Sequence, residues 1–360
     1  MTTNHQTLLV TGGAGFIGTN FIRHTLALNS DWHIVNLDWL TYAGNIKNFE
    51  PLPEEWRERY TFVHGSICDE ELLEKLFMQY RFDGVFHFAA ESHVDRSITS
   101  PEAFIETNVV GTFRLLEASL KMWERGGQPS GFRFLHVSTD EVYGSLGQEG
   151  YFTEETAYDP SSPYSASKAG SDHLVKAYYR TYGLPVLVTN CSNNFGPYQF
   201  PEKLIPLMIL NILEKKKLPI YGDGRNVRDW LYVIDHCAAL LRVFARGRVG
   251  ETYNIGGNSE RRNIDVVHFM CDFLDKRLGR SGNDANRNLI TFVKDRPGHD
   301  RRYAIDASKL KQELDWQPSF KFEEALEETV NWYIDHTDWV DDVRSGEYRQ
   351  WIEKNYHERH

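Results

Sequence analysis

The sequence predicts an α/β fold: a doubly wound, mostly parallel sheet with helices on both faces, followed by a smaller C-terminal α/β domain. Three observations carry that prediction. Over the first 190 residues, short β-branched runs alternate with longer stretches whose apolar residues recur every three or four positions, the rhythm of strands joined by crossover helices. The first run ends in glycines at positions 12, 15 and 18. After Asn190 the rhythm loosens, with Pro197, Pro201, Pro206, Pro219, Gly222 and Gly224 close together and shorter apolar runs between them.

In chain order, residues 7–11, 33–37, 61–64, 84–88, 133–138 and 186–189 read as buried strands, and 19–28, 69–80, 103–125 and 165–182 as helices. Asp69 is placed to cap the second helix, and Pro101 sits just before the third. Residues 1–190 are expected to form one domain and 191–360 a second, with a segment near 229–247 returning to the first. The polar stretch 279–288, holding two Gly and three Asn, reads as a mobile surface loop.

The 360 residues are 41% hydrophobic and 25% charged, enough apolar side chains for a sizeable core and too many for disorder. Forty Lys and Arg against 51 Asp and Glu leave a formal charge of −11. That is the wrong sign for a duplex-binding surface, so nucleic acid is not an expected partner. Residues 1–7 lack the basic-then-apolar profile of an export signal, and the apolar stretch 204–213 is too short to cross a bilayer, so no membrane is expected either. Cys68, Cys191, Cys237 and Cys271 are scattered without a CxxC pair, and His87 and His93 belong to no ligand-like spacing. Neither disulfides nor a metal is expected, and a reducing cytoplasm fits.

The segment Leu8-Leu9-Val10-Thr11-Gly12-Gly13-Ala14-Gly15-Phe16-Ile17-Gly18 runs an apolar strand into a glycine-punctuated turn and then a helix. A Rossmann-type dinucleotide site needs that arrangement. Without Cβ atoms the backbone can approach a pyrophosphate, and the helix start offers free N–H groups and partial positive charge. Glycines alone also build plain turns. Here an acid follows at the expected distance, Asp38, twenty residues beyond Gly18, where a carboxylate holds a ribose 2′-hydroxyl and repels a 2′-phosphate. Trp39 and Leu40 supply no arginine, so NAD is expected rather than NADP.

Tyr164 precedes Lys168 by four residues at a helix start, so both lie on one face and the ammonium can sit near the phenol. A free phenol has a pKa near ~10, so service as a base near neutrality needs a shift of about 3 units, or ~4 kcal/mol. One cation ~4.5 Å away at an effective dielectric of ~20 supplies about that much before desolvation takes its share. An oxidised nicotinamide adds a second positive charge. Alone, Tyr-x-x-x-Lys is common by chance; downstream of a dinucleotide turn it reads as catalytic.

Ser138-Thr139-Asp140-Glu141 ends the strand that begins at Arg133, at the edge where open parallel sheets bind ligands. Two adjacent acids there serve a helix cap or a solvated turn as readily as chemistry. A sugar oxidised at one carbon gives them a task. One carboxylate removes the acidified neighbouring proton, while a protonated carboxyl helps a hydroxyl leave one carbon further on.

Together with Ala89-Ala90-Glu91-Ser92-His93-Val94-Asp95-Arg96-Ser97 and Asp295-Arg296-Pro297-Gly298-His299, these motifs make nearly the whole chain similar to the extended short-chain dehydrogenase/reductases. Within them it resembles the dTDP-glucose 4,6-dehydratase family. The resemblance implies that Tyr164 takes the proton of the glucose 4-hydroxyl as hydride leaves C4 for NAD, while Thr139 holds the C4 oxygen. Glu141 would then remove the C5 proton and Asp140 protonate the departing C6 hydroxyl, with hydride returning to C6. It implies cofactor contacts from Gly12, Gly15, Phe16, Ile17, Gly18, Asp38, Thr41, Ser66, Ile67, Ala89, Ala90, Thr107, Tyr164, Lys168 and Asn194. Substrate contacts, with dTDP-glucose as partner, would come from Ser92, Thr139, Asn193, Lys203, Leu204, Pro219, Tyr221, Arg228, Asn263, Asp295, Arg296 and His299. A homodimer through helices 103–125 and 165–182 is also implied, although either helix could equally be ordinary sheet cover. Ser66 stands where the family usually has an aspartate facing the adenine amino group; serine still accepts that hydrogen bond, without the charge.

The same chemistry would serve a 4,6-dehydratase of GDP-mannose or a UDP-hexose, with residues near Lys203, Leu204 and Tyr221 choosing the base. An epimerase leaves Asp140 and Glu141 without a task, and a non-catalytic NAD-sensing protein has no use for the tyrosine–lysine pair.

Overall fold

A computed structural model describes residues 6–295 and 298–344. Among them the strands are β1 (Gln6–Thr11), β2 (Trp32–Asp38), β3 (Tyr60–His64), β4 (Gly84–His87), β5 (Arg133–Thr139), β6 (Val186–Cys191), β7 (Asn193–Phe195), β8 (Leu218–Tyr221), β9 (Val227–Tyr232), β10 (Thr252–Ile255), β11 (Glu260–Arg262) and β12 (Ile290–Val293). One seven-stranded sheet has the order β10-β6-β5-β4-β1-β2-β3 with every pair parallel. A three-stranded sheet β11-β9-β7 and a parallel pair β12-β8 stand apart from it.

Strands of the large sheet read as near-continuous apolar runs because both faces are covered. Leu8 and Val10 join the core beneath the helices Phe16–Leu28 and Val233–Arg246. Leu9, on the opposite face, joins the core beneath Glu70–Gln79, Thr112–Arg125 and Pro163–Tyr182. A third core gathers the helices Leu204–Leu213, Asn263–Leu278 and Phe322–Asp335. The stretch around Ile209 is apolar because it is buried there almost all round. Pro206 fits within its first turn, where the missing N–H would have had no helical partner. Beyond β9 the chain comes back: Val233–Arg246 packs on Phe16–Leu28, and β10 pairs with β6.

Local signals set the helix starts. Asp69 accepts from the Leu72 amide at 3.0 Å. The catalytic-motif helix begins at Pro163, two residues earlier than the periodicity indicates, because Ser162 and Ser165 form a capping box. Pro101 occupies the first helical position rather than preceding the helix. The expected single helix over 103–125 is broken by a π-helical turn, Ile105–Gly111. That turn aims Asn108 inward, where its amide donates to the Glu91 carbonyl (3.0 Å) and to Ser167 Oγ (2.8 Å). The stretch 279–288 is not the free loop its composition suggests. Asn286 is buried, its N–H donates to the Asp275 carboxylate at 3.0 Å, and the Arg280 guanidinium holds its carbonyl oxygen at 2.7 Å. No helix among the described residues is long and apolar enough to cross a membrane, and none of their His, Cys, Asp and Glu side chains group as a metal site.

Candidate active site

A cavity of about 620 Å³ opens beyond the C-terminal ends of β1, β2, β4, β5 and β6. At one end lies the glycine turn, whose three glycines have different reasons to lack a side chain. A Cβ on Gly12, which sits at φ +71°, would meet the Ala89 amide nitrogen at 2.5 Å. One on Gly18 would meet the Gly12 carbonyl oxygen at 2.3 Å, so this glycine lets the helix press against the strand. One on Gly15 would meet nothing closer than 3.4 Å and would project into space lined by the cavity instead. Gly15 is also the N-cap of the Phe16–Leu28 helix, whose first amides have no side-chain cap. This is the cradle an anionic diphosphate requires.

Asp38 ends β2 with Oδ2 accepting from the Ala14 amide (2.9 Å) and Oδ1 from Leu40 (2.8 Å). Burial raises its carboxyl and these two amides pull it back. Each oxygen keeps a lone pair for a ribose hydroxyl. Ser66 accepts from the Cys68 amide at 3.1 Å, which leaves it one acceptor position for an adenine amino group. The donors and acceptors of this end fit a dinucleotide.

At the other end β5 delivers Thr139, Asp140 and Glu141. The Thr139 hydroxyl accepts from the Glu141 amide at 3.3 Å and so fixes the turn that presents both acids. Asp140 is buried, and Oδ2 has no partner in the protein. Burial, then Glu141 and Asp229, push its carboxyl well above the usual range, and Arg228 brings it only part of the way back. The shift favours the neutral carboxyl, the form that can give up a proton. Tyr164 is buried one wall away. Burial, then Glu141, hold its phenol well above 10, with the Thr139 hydroxyl acting in the opposite sense. Lys168 donates to the Val137 carbonyl at 2.9 Å and lies 3.4 Å from His136 Nε2. Burial brings its ammonium down to about 8, against the pull of Asp172. The Lys168 ammonium, expected near the phenol, makes its hydrogen bond to the strand and not to Tyr164. The end of β5 offers that acceptor, and the protein's own charges and burial hold the phenol up, not down.

All fifteen expected cofactor residues line this cavity, as do Thr139, Asp140, Glu141, Ser92, Asn193 and Lys203. Leu204, Pro219, Tyr221, Arg228, Asn263, Asp295 and His299 lie outside it. Tyr221 donates to Asp95 at 3.1 Å and meets the His299 ring edge-on, and His299 Nδ1 is 2.6 Å from Asp295, so these form one cluster beside the entrance strand β8. Arg228 is buried, donates to the carbonyls of Val227 (2.8 Å) and Asp300 (2.9 Å), and stacks on Tyr303. Leu204 and Asn263 each begin a helix, and Pro219 lies in β8. Arg296 lies outside the described residues. Sequence reasoning missed Tyr42, Glu91, Cys191 and Glu202, which also line the cavity. Glu91 and Cys191 stand at or just past the ends of β4 and β6, so the strand-end rule that found Asp140 would have found them.

A glycine turn, a strand-end acid, a buried tyrosine and a lysine one turn later, all around one cavity, define a Rossmann-fold oxidoreductase-type site of the extended short-chain dehydrogenase/reductase class. The chain belongs to the GDP-mannose 4,6 dehydratase family, whose model matches residues 9–329. It is 56% identical over 363 residues to the dTDP-glucose 4,6-dehydratase of Salmonella typhimurium, covering 98% of this chain and 99% of that one. It is 57% identical over 345 residues to the enzyme of the same name from Xanthomonas campestris, covering 95% and 97%. Among solved structures, dTDP-glucose 4,6-dehydratase from Streptomyces venezuelae, described with NAD bound, superposes with a TM-score of 0.85 at 46% identity over 94% of this chain and 99% of that one. A UDP-glucose 4-epimerase from Thermotoga maritima shares the fold (TM-score 0.80, 92% and 99% covered) at 28% identity.

Proposed function

We propose that the protein removes water from dTDP-glucose to give dTDP-4-keto-6-deoxyglucose, using NAD. One observation carries this reading: Asp140, a buried carboxyl whose Oδ2 has no partner in the protein, lies directly beside Glu141 in the cavity that also holds Tyr164 and the glycine turn. An epimerase has no use for such a pair. Relatives at this identity, all named for dTDP-glucose, favour that base over GDP or UDP.

Gly12, Gly15, Gly18 and the helix start would hold the diphosphate of the dinucleotide, Asp38 its ribose, and Ser66 and Ile67 its adenine. Bound as NAD⁺, it would supply a hydride acceptor and donor and a positive charge. Tyr164 takes the 4-hydroxyl proton, and Thr139 donates to the C4 oxygen. Glu141 draws the proton from C5, and Asp140 gives its own to the C6 hydroxyl as the C–O bond breaks, so water leaves with the atoms in balance. Lys168 brings positive charge to the cavity floor. As guanidinium groups Arg228 and Arg296 suit the sugar diphosphate, Arg228 once it leaves the Val227 and Asp300 carbonyls that hold it outside the cavity. Lys203, with Leu204 and Tyr221 next to the cavity, would meet the base, and Asn263 would be a further substrate contact.

Residues 1–190, with a returning segment that runs from near 229–247 on through β10, would form the cofactor-binding domain, and the rest of 191–360 the nucleotide-sugar domain. Ile105, Phe113, Tyr179 and Tyr182 leave large side chains exposed on the helices expected to pair in a homodimer, which sedimentation velocity tests. The four cysteines are free thiols, as a cytoplasmic protein would keep them. Purified protein given dTDP-, UDP- and GDP-hexoses without added cofactor should form a keto sugar from dTDP-glucose. Product from another hexose alone moves the substrate assignment, and product from none rejects the reading.

A further inference from the structure

Tyr164, Lys168, Asp172 and Lys176 follow one another at four-residue intervals along the Pro163–Tyr182 helix, so they form one stripe. The mechanism uses the first two. Asp172 is fully buried behind them, and nothing in the proposed reaction yet needs a carboxylate there. Its Oδ2 accepts from Ser138 Oγ at 2.8 Å and from Tyr158 OH at 2.9 Å. Its Oδ1 lies 3.2 Å from His136 Nε2, without an aligned hydrogen bond. The same His136 nitrogen is 3.4 Å from Lys168 Nζ. His136 Nδ1 is buried without a partner. An ammonium only donates, so the Lys168 contact asks for a lone pair on Nε2 while the Asp172 contact asks for a proton there; the neutral ring serves one side at a time and keeps carboxylate and ammonium apart.

We propose that Asp172, with the neutral His136 ring as spacer, is a positioning residue that aims the Lys168 ammonium at the Val137 carbonyl and supplies its counter-charge. The titratable groups around the pair come from every neighbouring element: His136 on β5, His87 on β4, Cys191 on β6, Tyr143 and Tyr158 before the helix, and Lys176 on it. Of these, Asp172 is the carboxylate that opposes the burial of Lys168. Two hydroxyl donors on Oδ2 favour its charged form, which burial would otherwise suppress. This rests on the reading of Lys168 as the cation of the active site.

Asp172→Asn is nearly isosteric and keeps an acceptor for Ser138 and Tyr158. Its pH–kcat profile should lose activity on the alkaline side about one pH unit earlier, with kcat down about fivefold near pH 8, nearing tenfold above about pH 9, and KM within about twofold of wild type. Near pH 6 most of the wild-type kcat should return, which a merely loosened structure would not give. The pH at which NAD⁺ affinity declines, read by quenching of tryptophan fluorescence, should move the same way. Ser138→Ala and Tyr158→Phe each withdraw one donor from Asp172 and should give smaller shifts in the same direction, and they serve if Asp172→Asn fails to fold. Profiles that coincide with wild type in both kcat and NAD⁺ affinity overturn the proposal. Wild-type protein that binds NAD⁺ yet converts no hexose overturns the proposed function instead, and the affinity profiles still decide the role of Asp172.

Discussion

Lys168 donates to the carbonyl oxygen of Val137, not to the phenol of Tyr164 one helical turn before it. The ammonium is therefore fixed by β5, the strand that also delivers Thr139, Asp140 and Glu141, and acid, base and cation share one support. Burial sets its titration at about 8, below the ordinary 10.5. A cation is needed, so the contribution of Lys168 should be present below that pH and be lost as pH rises through it. Steady-state rates from about pH 6 to about pH 10 check this, and a profile flat across that range is the contrary result.

Tyr164→Phe removes the group that accepts the 4-hydroxyl proton and leaves the ring packed against Phe104. Keto-sugar formation should fall at least about 100-fold, with NAD content and melting temperature near wild type. Undiminished turnover would remove the tyrosine from the mechanism.

Asp140→Asn keeps the shape and withdraws the transferable proton. Water loss should slow by about 100-fold or more, while deuterium from solvent still enters C5 through Glu141, as NMR of recovered sugar would show. Equal slowing of C5 exchange and water loss would mean that Asp140 is not the acid.

Gly15→Ala and Gly12→Ala separate a binding glycine from a folding one. The Gly15 Cβ has room in the protein and none to spare in the cavity, so NAD affinity should drop with little change in melting temperature. The Gly12 Cβ collides with the Ala89 backbone and sits at φ +71°, so stability should fall by more than about 1 kcal/mol. A calorimetric scan and a fluorescence titration of each variant decide.

The glycine turn and its acid were legible because backbone approach to a phosphate dictates residue type at fixed spacing. Thr139, Asp140 and Glu141 were legible as a pair at a strand end, but not their protonation. The upward shift of Asp140 comes from burial, then from Glu141 beside it and from Asp229, which arrives on β9 about 90 residues later. Helical spacing put Lys168 on the face of Tyr164 and could not see that its ammonium would bond the Val137 carbonyl. Composition called 279–288 loose because Asn and Gly favour turns, and missed the Asp275 and Arg280 tethers that lie outside or at the edge of that window. The π turn at Ile105–Gly111 has apolar spacing too close to α-helical to betray it.

β10 completes the large sheet beside β6, yet it is encoded about 60 residues further on. A ribosome adding ~5–20 residues per second needs roughly 3–12 s to deliver it. Throughout that interval the outer rim of β6 offers unpaired amides and carbonyls to any neighbouring chain. A product truncated near residue 190 is therefore an adhesive nascent fragment rather than a small self-sufficient domain, and expression of the N-terminal half alone should yield aggregates that the chain extended past Ile255 avoids.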